Sequence, residues 1–212
     1  MILKQKKYNP LNNTIKFSPE DQEINKFLQS IKIYGVLIKS VHNTFDSKIN
    51  FNENLVISWL NKKNFISELL FRKTRDGSTL KDFHKKCDNK GTTIIFIETV
   101  KGFKFGGYTE LEWDKKSGYK EDNSTFIFSF DNKKKYTRIN NYNEPSINCT
   151  YDESPWFGCL NADIKFNGTL NKGQSANYNI TSFSSGTRLT NGEMFYDVKE
   201  SEVHKIIYLL KK

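Results

Sequence analysis

The chain has 212 residues, of which 36% are hydrophobic and 14% aromatic, with seventeen Phe and ten Tyr. That length fits one domain plus an extension, and so many aromatic side chains supply a real core, which excludes a wholly disordered chain. The formal charge is +9, but the lysines are scattered over predicted turns rather than clustered along one element with stacking aromatics. The charge therefore favours acidic surfaces without pointing to nucleic acid.

The N-terminal "MILKQKKYNP" has no apolar h-region, and no run of 18 or more apolar residues follows. The expectation is a chain without secretory signal or membrane-spanning helix, working in the cytoplasm. Three cysteines, Cys87, Cys149 and Cys159, make an odd count with no CxxC pair, which fits reduced thiols better than a disulfide framework. Sequons at Asn12, Asn123, Asn148, Asn167 and Asn179 are expected by chance in so Asn-rich a chain.

Residues 1–17 read as a flexible N-terminus. A helix is predicted over 18–46: Ser18 caps, Pro19 suits the first helical position, and Glu20 and Asp21 favour the positive end of the dipole. Ile24, Phe27, Ile31, Tyr34, Ile38, Val41 and Phe45 then recur at alternating spacings of 3 and 4, an a/d seam interrupted only by Gly35. The seam admits two readings: a short coiled coil that pairs copies through residues 24–45, or an amphipathic helix packed on the domain.

A short helix over about 54–60 follows, and the pattern then switches to strands. "FISELLFRK" reads as a strand, "TRDGS" as a turn, and "TLKDFHKKC" as a helix capped by Ser78 with Leu80, Phe83 and Cys87 on one face. "TTIIFIET" and "FKFGGYTE" flank a turn at "VKG" and predict a hairpin; "STFIFSF" and "KYTRI" around "DNKK" predict a second. "WFG", "ADIKF" and "EVHKIIYLL" complete eight to ten strands. With no βαβ alternation, the prediction is a mainly β (α+β) fold: an antiparallel β-sandwich of two sheets with a few flanking helices, after the N-terminal heptad helix.

The chain offers little for catalysis. His42, His84 and His204 are the only histidines. His84 and Cys87 stand one helical turn apart without the second ligand pair a zinc site needs, so no metal or other cofactor is expected. Lys85 and Lys86 would lower the Cys87 pKa while the helix C-terminus would raise it, so the residue reads as a core thiol. Glu202 and His204 share a strand face, which suggests an acid–base pair or, more simply, a surface ion pair or rim hydrogen bond. "FGGY" lacks the Lys and Ser/Thr of a phosphate loop and opens no helix. Its Gly pair predicts a close backbone approach or a bulge in a buried hairpin.

Taken in order, the motifs resemble the TLDc domain of the oxidation-resistance family. Leu69, Leu70, Arg75, Asp76, Gly77, Phe83 and Cys87 resemble its opening strand, Arg-Asp-Gly turn and helix. Phe105, Gly106, Gly107, Tyr108 and Trp113 resemble its Phe-Gly-Gly-Tyr…Trp hairpin, and "STFIFSF" its next strand. Pro155, Phe157, Gly158 and Asp163 resemble its Pro-x-Phe-Gly…Asp segment, and Val198, Glu200, Glu202 and Val203 its closing strand. Ser154, Ser201 and His204 depart from the pattern, a difference expected at the outer rim. The resemblance spans about residues 47 to 210, so 47–212 is taken as the domain. It implies a β-sandwich and a non-catalytic role: family members protect against oxidative stress, and several bind and regulate the vacuolar proton pump (V-ATPase). It also implies recruitment to vacuolar or lysosomal membranes through that partner. The alternatives are a thiol-based redox enzyme using Cys87 or the Glu202/His204 pair, and an oligomeric adaptor assembled through the heptad helix.

Overall fold

A computed structural model describes residues 43–61, 64–114, 118–138, 145–149, 155–158, 163–175 and 189–209. The chain divides into two units, residues 1–42 and 43–212. The predicted helix over 18–46 thus lies outside the described residues except at its end. There residues 44–46 are not helical, and Phe45, the last seam position, is buried against Phe65, Phe96 and His204.

Helix α1 (Glu53–Leu60) starts where the Asn52 side chain accepts from the Asn54 amide, and it stops at Asn61, whose φ of 52° is left-handed. Val56 and Leu60 form its buried side. Strand β1 (Phe65–Arg72) runs into a single helical turn, α2 (Lys73–Asp76), where a plain turn is predicted. Helix α3 (Leu80–Cys87) follows. Its cap is Thr79 rather than the predicted Ser78. Thr79 Oγ1 accepts from the Asp82 N–H at 3.2 Å while the Asp82 carboxylate accepts from the Thr79 N–H at 3.1 Å, a capping box. Asp82 stands three residues after Thr79, and the reciprocal pair decides between the two neighbouring hydroxyls.

The two predicted hairpins are present: β2 (Thr93–Thr99) with β3 (Lys104–Thr109), and β5 (Phe126–Ser129) with β6 (Lys134–Thr137). The last strand, β11, is longer than predicted and spans Phe195–Tyr208. β9 (Lys165–Asn167) and β10 (Thr169–Gln174) form a further hairpin. All eight belong to one antiparallel sheet of order β6-β5-β3-β2-β11-β10-β9, with β1 paired to β11 off that path. A second sheet, β4 (Tyr119–Lys120), β7 (Ile147–Asn148) and β8 (Trp156–Phe157), has the order β4-β7-β8.

The large sheet carries a core on each face. Ile95, Ile97 and Ile127 point to one, with Phe83 and Cys87 from α3, Ile147 and Phe157 from the second sheet, and Trp113 from the loop after β3. Ile94, Phe96 and Phe128 point to the other, with Phe45, Ile49, Val56 and Leu60. This explains why β2 reads as an unbroken apolar run: successive residues face opposite sides and both sides are covered.

The same geometry accounts for Gly106 and Gly107. The register through both is regular on either side, from Phe105 to Tyr108, so no bulge re-aims them. Gly106 lies under the Phe128 ring and the Ile95 carbonyl, and a Cβ there would stand 2.6 Å from Phe128 Cζ. Gly107 faces the opposite core, where a Cβ would meet the Phe157 ring at 2.6 Å. Two adjacent residues thus admit an aromatic ring on each face of one strand. Gly107→Val, which overpacks against a ring held by the second sheet, is expected to cost about 3 kcal/mol or more. Urea denaturation checks this, and an unchanged midpoint would count against the packing argument.

Candidate functional site

β11 must serve both cores, and a bulge lets it. Val198 pairs with Thr99 but Glu200 pairs with Glu98, so Lys199 is the extra residue. Tyr196 and Val198 before the bulge, and Val203 after it, therefore reach the same core although their parity differs. β1 carries a matching shift between Leu69 and Phe71, which turns Phe71 toward the core opposite to that of Phe65. After both shifts Arg72 and Glu202 lie directly across from each other.

Their side chains are buried, at 10% and 0% exposure, and Arg72 Nε donates to Glu202 Oε1 at 2.7 Å. The Lys48 N–H donates to the same oxygen at 2.9 Å and the Ser47 hydroxyl to Oε2 at 2.5 Å. Arg72 also donates to the Asp46 carbonyl at 2.7 Å. The ion pair thereby holds residues 46–48, the strap leading into the domain, against the sheet. His204 Nε2 stands 3.5 Å from Glu202 Oε2, a long contact that still favours the ionised carboxylate, with its ring edge-on to Phe45 and Phe96. Glu202 and His204 do share a face as the sequence suggests, but in the interior, not as a surface pair. Ser201 is buried as well, so two of the three departures from the family pattern, Ser201 and His204, sit inside the fold and not at its rim, while Ser154 lies outside the described residues.

A second knot adjoins the first. β11 pairs with β10 over 195–197 and with β1 over 202–208, both along the edge opposite β2. The sheet forks between them, and α2 bonds to the stretch of β11 left there. Lys73 Nζ donates to the Val198 carbonyl at 2.6 Å. Glu200 accepts from the Thr74 N–H at 3.2 Å and hydroxyl at 2.5 Å. Asp76 Oδ2 accepts from the Arg72 N–H at 2.9 Å and from Arg75 at 2.7 Å. Burial would raise the Asp76 carboxyl, but Arg75 and that backbone N–H outweigh it and hold it below its ordinary value. Gly77, at φ 117°, ends the turn, and any side chain there would strike the Asp82 carboxylate of the capping box.

The structure thus brings Arg75, Asp76, Gly77, Glu200 and Glu202 into one region. Trp113 and Gly107 meet elsewhere, at the Phe157 ring. Trp113 is fully buried and donates to Thr93 Oγ1 at 2.8 Å. Gly158 follows that ring with φ 102°, its N–H donating to the Ser146 carbonyl at 2.8 Å. Asp163 is buried nearby in the sequence, and Gly106 faces the other core. Sequence reading missed Ser47, Lys48, Arg72 and Thr74, which complete the knot. Arg72 was visible as a charge ending the apolar run "LLF", but the doubled leucine hid the bulge that buries it.

Two of the three thiols, Cys87 and Cys149, lie among the described residues, and both are sealed. Cys87 is fully buried, and burial, followed by the nearby Asp88 and Asp76 charges, pushes its pKa well up. Burial pushes Cys149 up to about 11. His84 Nδ1 lies 2.7 Å from Asp88 Oδ1. Among the described residues no group of three or more His, Cys, Asp or Glu is placed to hold a metal, and no helix is long and apolar enough to cross a membrane.

Fold and knots together define a small antiparallel β domain whose distinctive polar residues bind its own segments to one another. The TLDc domain family matches residues 47–207, and the chain belongs to that family. It is also similar to the MTOR-associated protein MEAK7 of Danio rerio, at 28% identity over 61 residues, 29% of this chain and 14% of that protein.

Burial alone would raise the Glu202 carboxyl; His204, Ser47, the Lys48 N–H and Arg72 outweigh it and hold the pKa at about 2, against 4.5 when free. A depressed acid pKa stabilises the fold fully above the unfolded value and loses that stabilisation as pH falls through the folded one. The chain should therefore lose stability between about pH 5 and pH 2. Glu202→Gln should flatten this limb in melting curves taken across that window. An equally steep limb in the variant would refute the assignment.

Proposed function

We propose that the domain is a non-catalytic interaction module that binds and regulates the vacuolar proton pump (V-ATPase) and so contributes to resistance against oxidative stress. The observation that carries the non-catalytic part is that the motif residues Asp76, Glu200 and Glu202, with Arg72 beside them, are taken up by internal contacts. Arg72, Asp76, Glu200 and Glu202 hold the strap and the sheet fork, and Cys87 and Cys149 are buried with raised pKa values. A thiol nucleophile or peroxide scavenger needs an accessible, low-pKa sulfur. Family membership supports a partner-binding role, and so does the similarity to a protein named for association with MTOR. The pump as partner rests on the family resemblance. In this reading the chain works in the cytoplasm and reaches vacuolar or lysosomal membranes through its partner.

Purified V-ATPase incubated with the full chain tests the partner; association at micromolar protein is expected, and none would overturn it. Alkylation of the native chain, mapped by peptide mass spectrometry, tests the rival redox reading. Cys87 and Cys149 should label only after denaturant is added, and rapid native labelling of either would favour thiol chemistry.

A further inference from the structure

Among the described residues four large hydrophobic side chains are exposed, and two of them share one groove. Val100, 66% exposed, sits in the β2–β3 turn, and Phe195, 62% exposed, begins β11. They flank an open groove of about 490 Å³. A backbone bond ties one wall to the sheet, the Val100 N–H donating to the Asp197 carbonyl at 2.9 Å, and Lys101 is ion-paired with Glu193 across the rim. A preformed apolar surface loses little conformational entropy on docking.

The charge of the groove differs from that of the chain. Lys101 and Lys172 face Glu193 and Asp197, two of each sign, on a chain whose net charge is +9. An excess of that size opposes self-association wherever basic surfaces meet. It does not do so on a neutral patch that carries both signs. Lys172 and Asp197 are direct cross-strand partners of β10 and β11, so opposite charges lie side by side in the groove's lining. A twofold axis between them sets Lys172 of one copy against Asp197 of the other, the self-complementarity that an isologous contact requires.

We propose that this groove binds a second copy of the chain, with Val100 and Phe195 as the apolar centre and Lys172 and Asp197 exchanged between copies. The contact is small, so the dimer should be weak, with Kd on the order of 10 µM. The site is distinct from residues 24–45, where the sequence alone would put any pairing.

Sedimentation equilibrium of the full chain, with melting curves to confirm folding, tests it. The parent is expected to reach twice 24.8 kDa. The double variant Val100→Ser with Phe195→Ser should remain monomeric and folded. Lys172→Glu alone and Asp197→Lys alone should each weaken self-association at least about tenfold, and their mixture should restore it as a heterodimer. A parent that stays monomeric at concentrations well above the expected Kd overturns the proposal, leaving the groove to solvent or another partner. A dimer unchanged in the Val100→Ser, Phe195→Ser variant also overturns it, by placing the contact elsewhere. So does failure of the mixed charge variants to associate while the parent does.

Discussion

A carboxylate with no access to solvent must be matched or it unfolds the segment that carries it, and Glu202 is such a group. Meeting that demand fixes much of the domain. Arg72 must arrive on the same face of the neighbouring strand, and the strap at 46–48 must come close enough to give a hydroxyl and an amide. Once it does, Phe45 and Ile49 on the same strap are carried into the core over Ile94 and Phe96. The apolar burial and the polar knot therefore share one segment, residues 45–49.

Two irregularities make the match possible. Without the bulge at Lys199, Glu202 would point to the face now taken by Val203; without the shift near Leu70, Arg72 would follow it only by accident. The fork created by β10 and β1 diverging from β11 is occupied by α2, whose Thr74 and Lys73 bond to Glu200 and Val198. The Arg-Asp-Gly stretch thus has a mechanical meaning. Asp76 ties the turn to Arg72, Arg75 neutralises Asp76, and Gly77 leaves room for the cap of α3.

Much of this was legible in the sequence, and the gaps have physical causes. The hairpins at "VKG" and "DNKK" were readable because their apolar strands flank residues with strong turn chemistry. The Gly pair was readable as a close approach, though not as one ring per face. β10 escaped notice because "TLNKGQ" buries only Leu170 and Gly173, the latter lying beneath the Tyr196 ring. β8 was legible as the strand "WFG", but β4 and β7 have two residues each, too short for any periodicity, and exist because the fold brings them together. Bulges reverse parity without changing composition, so the burial of Arg72, Ser201 and His204 could not be read from spacing. The heptad seam ran into Phe45 because a strap residue and a seam residue are both simply apolar.

Arg72, Asp76, Glu200 and Glu202 therefore hold the domain's own segments together. The most direct test is a double-mutant cycle on Arg72→Met and Glu202→Leu, read by chemical denaturation. Each single variant takes the buried counter-charge from the group that remains, and the double variant removes both charges. The account predicts a coupling free energy of about 2 kcal/mol or more, with the double variant more stable than Arg72→Met alone. Additive single-variant losses, with no coupling, would contradict it and remove the ion pair from the centre of the fold.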